Sequence, residues 1–191
     1  MDEVYVIEVY SDRKSLFLEK NFTKKNEYTY IYKGTYSECV RLLNRARWRN
    51  FKAVIFKDRY NRNSNYRKAF FDSRPDDDSF RCVYCGKIVP KQYVTVDHVV
   101  PVHHAKRYAS AKLALKLKGC DSVNDIGNLV PSCFKCNKKK GSDYNIVYVI
   151  RSIYGENKLY WDVIHTLRLL LFVIMAAVII LYILRRQYGV I

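Results

Sequence analysis

The chain has 191 residues, enough for one or two small domains around modest cores. Lys and Arg total 34 against 18 Asp and Glu, a formal charge of +16, which excludes an acidic or charge-poor chain and makes a polyanion the partner to consider, nucleic acid first and anionic lipid second. The excess sits in residues 1–74 (17 basic, 9 acidic) and 81–141 (12 basic, 3 acidic), while residues 142–191 are nearly neutral.

In chain order, residues 4–10 (VYVIEVY), 28–32 (YTYIY) and 52–57 (KAVIFK) are rich in Val, Ile and Tyr, as strands are. Thr35 and Glu38 have capping-box spacing, which predicts a helix running to about Trp48. The result is a basic α+β module over 1–74 of β-β-α-β order. Its helix places Arg41, Arg45 and Arg49 four apart on one face, a stripe suited either to a phosphate backbone or simply to solvent. Residues 58–79 are polar and rich in Asn and Asp, so a domain boundary is expected near 72–79.

The run Leu169 to Leu184 carries no charge, and at 1.5 Å per residue spans roughly 24 Å. A transmembrane or hydrophobic tail helix is predicted over 161–186, with Arg168 and Arg185-Arg186 at its ends and Tyr160, Trp161 and Tyr182 as interfacial aromatics. The N-terminus has no signal-peptide pattern, so export and disulfides are not expected, and a single-pass membrane protein with a cytoplasmic body is the expected arrangement. The charges flanking the run set its orientation only weakly.

Four of the six cysteines form two C-x-x-C motifs, Cys82-Val-Tyr-Cys85 and Cys133-Phe-Lys-Cys136. In a chain that is not exported this spacing reads as one tetrahedral zinc bound by four thiolates, a closed shell that holds structure and leaves no position for water. Cys39 and Cys120 have no partner at ligand spacing. Between the pairs lie Asp97-His98-Val-Val-Pro101, following the strand-like run 93–96, and Asn128-Leu129; Asn137 directly follows Cys136, and Lys140-Gly141 closes the segment.

In this order the motifs C-x-x-C, D-H-x-x-P, N-L and C-x-x-C-N-x-x-K-G resemble the HNH endonuclease family, in the form with asparagine in place of the last histidine (an HNN-type variant with a four-cysteine zinc). The resemblance covers about sixty residues. It implies an α+β fold with a ββα-metal unit over 79–142, in which His98 is the general base, Asp97 and Asn137 ligate a catalytic Mg²⁺ or Mn²⁺, and Asn128 holds the loop and helps orient His98. Lys140, with Lys138 and Lys139, could contact phosphate. The chemistry is consistent with these roles: carboxylate and amide oxygens suit a hard divalent ion, and an imidazole titrates near the working pH. One departure stands out. The interval from Pro101 to Asn128 is long and holds a basic segment, 104–118, predicted to be one helix stopped by Gly119 and able to add phosphate contacts.

The expectation is therefore a membrane-anchored HNH endonuclease that hydrolyses DNA phosphodiesters, a layout that suits a phage or mobile element. The rival is a catalytically inactive zinc module that binds nucleic acid at a membrane, which would have no need of Asp97, His98 and Asn137 together.

Overall fold

The computed structural model describes residues 3–188. In chain order its elements are β1 (Tyr5–Tyr10), α1 (Leu16–Asn21), β2 (Thr23–Asn26), β3 (Thr29–Gly34), α2 (Tyr36–Trp48), β4 (Lys52–Lys57), α3 (Tyr66–Asp72), β5 (Ser79–Arg81), β6 (Ile88–Pro90), β7 (Val94–His98), α4 (Val102–Arg107), α5 (Ala109–Leu117), β8 (Leu129–Cys133), α6 (Phe134–Lys140), α7 (Ile146–Tyr154) and α8 (Lys158–Tyr188). The protein is mixed α/β, with a long apolar C-terminal helix. It divides into two compact units, neither continuous in sequence.

The first unit holds the described residues up to Asp76, with Val96–Val130 and Lys140–Tyr144. Its frame is an antiparallel sheet of order β2-β3-β1-β4. Strand β1 is central, and alternation sends its side chains to opposite faces. Ile7 and Val9 join Leu18, Leu42, Leu43 and Ala46 in a core under α1 and α2. Val6 joins Phe56, Ala105, Ala111, Leu115 and Val123 in a second core under α4 and α5. The capping box predicted at α2 is present: Glu38 N–H donates to Thr35 Oγ1 at 3.4 Å and Thr35 N–H to Glu38 Oε2 at 2.9 Å.

Three expectations are revised here. The short α1 and β2 precede β3, so the N-terminal order is β-α-β-β-α-β. The segment 104–118 is two helices, broken where Tyr108 takes extended dihedrals (φ −110°, ψ 130°), although Gly119 does take the left-handed φ of +69° expected of a stop. Nor does the module expected over 1–74 stand alone. The outer face of β1 and β4 needs cover, and α4 and α5 supply it, so residues 96–130 fold with the N-terminal strands.

One buried polar cluster completes this unit. Glu8 on β1 is 3% exposed; its Oε1 accepts from Lys106 Nζ (2.7 Å) and Lys25 Nζ (2.9 Å), and its Oε2 from the Tyr10 hydroxyl (2.8 Å). Burial raises the Glu8 pKa, but these donors and the lysine charges more than offset it, leaving the carboxyl below its ordinary value.

The second unit holds Asp77–Thr95, Pro131–Lys139 and the described residues from Asn145 onward. Hairpin β5–β6 carries the first C-x-x-C motif in its connection, where Gly86 takes φ +78° and its N–H donates to Cys82 O at 2.9 Å. Thr95 Oγ1 and Ser132 Oγ each donate across to the other residue's carbonyl, at 2.8 and 3.0 Å. Helix α8 has the length and composition to cross a membrane, and none of its most apolar stretch is buried. Trp161 is not one of its exposed aromatics: the indole is 3% exposed and donates to Gly155 O at 2.7 Å, which corrects its expected interfacial role.

Candidate functional site

In the first unit an open cleft of about 530 Å³ is lined by Asp97 and His98 at the end of β7, by Asn61, Arg62 and Tyr66 from the segment after β4, and by His103 of α4. Asp97 and His98, the pair singled out in the sequence, thus share one cavity. Both are buried, at 8% and 2% exposure.

The chain turn that follows His98 is fixed by Asn128, which is fully buried. Its Oδ1 accepts from Val100 N–H at 2.9 Å, and its Nδ2 donates to Val123 O at 2.8 Å and Val100 O at 3.3 Å. Its backbone carbonyl takes Val99 N–H at 2.9 Å. Asn128 therefore holds the turn after His98. These bonds all go to backbone groups of the loop, however, so the imidazole is oriented by something else. The Tyr66 ring lies against it, with centroids 4.7 Å apart and planes at 45°, and the Arg62 guanidinium lies 5.3 Å from the Tyr66 centroid.

Both His98 nitrogens are buried without a hydrogen-bond partner among the described residues, and so is Asn61 Oδ1. Burial, with the Arg62 charge next, pushes the His98 imidazole down to about 4; the nearby Asn124 amide opposes this and Lys140 adds to it. The ring is neutral at pH 7. Each orphaned buried polar atom costs about 1–3 kcal/mol, and three of them meeting in one cleft is the pattern of a site shaped for a ligand.

Lys140 differs from its expected role. Its side chain is fully buried, pairing with Asp97 Oδ2 at 3.0 Å and donating to the His98 carbonyl at 3.0 Å. An ammonium spent on these two groups positions Asp97 and the strand end, and it is not presented to a surface phosphate. Lys138 and Lys139 are exposed on α6, and Asn137 is half-buried on the same helix in the second unit. Arg41, Arg45 and Arg49 are exposed along and just past α2; the last two also stack on Phe17, at 5.4 and 4.6 Å from its centroid.

Sequence reasoning missed Asn61, Arg62 and Tyr66, having read 58–79 as a polar stretch leading to a boundary near 72–79. The signal available was the interleaving of aromatic and basic residues in Tyr60-Asn61-Arg62 and Tyr66-Arg67.

In the second unit the ligand atoms of Cys82, Cys85, Cys133 and Cys136 all lie within 4.8 Å of one another and could hold a metal ion. A tetrahedral ion with sulfurs at about 2.3 Å needs them about 3.8 Å apart, so the cluster fits. It is the sole group of three or more such ligands among the described residues. Burial pushes the Cys82 thiol up to about 11, against backbone donors at Cys133 and Tyr84; burial, with the neighbouring sulfurs, raises Cys136 strongly. Metal-free, these sulfurs keep protons that a cation would displace. Cys39 and Cys120 are buried free thiols.

No family model, curated protein or solved structure matches the chain.

Proposed function

We propose that the chain is a metal-dependent nuclease of the HNH type, stapled by a structural zinc and anchored in a membrane by α8. The supporting observation is the cleft itself, where a neutral His98 with two unpartnered nitrogens sits beside Asp97 on a turn fixed by Asn128.

His98, uncharged at pH 7, can take a proton from a water attacking phosphorus, and its ring is steadied by Tyr66. Lys140 holds the Asp97 carboxylate in one orientation. Asp97 and Asn61, which both line the cleft, carry hard oxygen donors for a Mg²⁺ or Mn²⁺ ion. When bound, such an ion supplies positive charge to a phosphodiester and its leaving oxygen. Arg62 at the cleft, and the exposed Arg41, Arg45, Arg49, Lys138 and Lys139, offer contacts to a DNA backbone. With α8 in a bilayer, the chain that precedes it would face the cytoplasm in this reading.

A second reading, a catalytically silent zinc module that binds nucleic acid at a membrane, is favoured by the Lys140–Asp97 pair, because an ammonium 3.0 Å from a carboxylate oxygen opposes a cation there. Supercoiled-plasmid nicking in Mg²⁺ or Mn²⁺ separates the two. The nuclease reading expects wild-type nicking that His98→Ala lowers by about 10²–10⁴-fold. Equal nicking by both proteins, or none by either, leaves the binding module.

A further inference from the structure

Helix α7 has two unlike faces. Ile146, Val147, Ile150, Ile153 and Tyr154 are all exposed, between 41% and 68%, and the spacing 146, 150, 153 and 154 puts four of them on one side. The other side is in use. Tyr148 packs edge-on against Tyr84, and Arg151 donates to the Tyr84 carbonyl at 3.2 Å with its guanidinium 5.8 Å from the Trp161 ring centroid. The apolar face is therefore turned outward by contacts that fix the helix.

Those contacts also tie α7 to the foot of α8. Gly155 ends α7 where a Cβ would run into the Val83 and Arg151 carbonyls, and its own carbonyl accepts from Trp161 Nε1 at 2.7 Å. Trp161 lies on Gly86, where an added Cβ would stand 2.6 Å from the indole. One indole thus joins the cysteine-bearing hairpin, the end of α7 and the first turns of α8. From Trp161 to Leu169, where the uncharged run begins, is eight residues, or about 12 Å of helix. Val163 and Leu167 are exposed along it.

We propose that α7 is an interfacial helix, its apolar face resting in the headgroup–acyl boundary of the bilayer that α8 crosses. The proposal rests on the reading of α8 as membrane-spanning. Lipid is the occupant because α7 is clamped within a short length of helix from the apolar run, whose own side chains lie unburied. A second copy of the chain is a poor occupant. Nine residues make a helix about 14 Å long, and one side of it offers far less than the ~800 Å² per partner of a stable dimer. The consequence is that the cysteine centre sits at the membrane surface.

The test uses the full-length, zinc-loaded protein reconstituted in vesicles of phosphatidylcholine and phosphatidylglycerol. A photoreactive diazirine amino acid is placed singly at Ile150, at Ile174 in α8, and at Trp48, an exposed residue of the first unit. The expected result is lipid adducts at positions 150 and 174, each at least fivefold above position 48. Adducts at 174 with none at 150, or with 150 joined to a second copy, overturn the interfacial helix and leave the anchor standing. No lipid adduct at 174 overturns the anchor and the proposal with it.

Discussion

The cleft of the first unit and the cysteine cluster of the second are opposite solutions to burying polar atoms. The cluster is closed: four sulfurs within 4.8 Å of one another can each give a lone pair to one ion and fill its shell. The cleft is left open, with the His98 ring nitrogens and Asn61 Oδ1 buried and unpartnered, while Lys140, Asn128 and Glu8 are bonded around it. Satisfied groups build a frame, and unsatisfied ones placed on that frame mark where a ligand belongs.

The contrast is broken most sharply by removing the frame of the second unit. Cys133→Ser, or strong chelation of the wild type, should take bound zinc from one ion per chain to none and lower the melting temperature by 10 °C or more, read by metal analysis and calorimetry. The raised Cys82 and Cys136 thiols add that zinc affinity should fall as pH is lowered, because protons compete for the same sulfurs. Unchanged melting without zinc would make the cluster incidental.

In the first unit, Lys140→Met strands the buried Asp97 charge and should cost about 3–5 kcal/mol in denaturant unfolding. Lys140→Met with Asp97→Asn should recover most of that loss, and a double mutant no more stable than the single one would mean the pair is not coupled. Asn128→Ala leaves backbone groups of the loop unpaired and should cost about 2–4 kcal/mol.

Glu8→Gln should have a smaller effect, and one with a pH signature. The folded-state pKa is depressed, so the contribution is present above the ordinary Glu value of 4.5 and lost as pH falls through the lower folded value. The stability gap between wild type and Glu8→Gln should therefore narrow and close as the solution is acidified below the ordinary Glu value of 4.5. A gap that widened in acid would reverse the assigned sign. Smallest of all, Arg45→Ala should change stability by less than about 1 kcal/mol and flatten the salt dependence of DNA binding by about one phosphate contact.

The same contrast explains what could be read in the sequence. The cysteine cluster was legible because each ligand pair is local, and C-x-x-C spacing carries its own geometry. The capped helix α2 and the end of β7 were legible for similar reasons of period and cap. The cleft was only half legible. Asp97-His98 and Asn128 stood out as motifs, but Asn61, Arg62 and Tyr66 reach them through packing across more than thirty residues of chain, which no local pattern encodes. Lys140 looked like a surface lysine because three lysines in a row usually are solvated; its burial follows from the Asp97 carboxylate, a tertiary partner. The folding of 96–130 onto the N-terminal strands was hidden too, since β1 reads as one strand and does not declare which helices cover its second face.

The central claim, that His98 is the base of a phosphodiesterase site, is tested most directly by chemical rescue. Zinc-loaded His98→Gly protein in Mg²⁺ should nick supercoiled plasmid at least 100-fold more slowly than wild type, and added imidazole should restore part of the rate in proportion to its concentration. A His98→Gly protein that nicks at the wild-type rate, with or without imidazole, would contradict it.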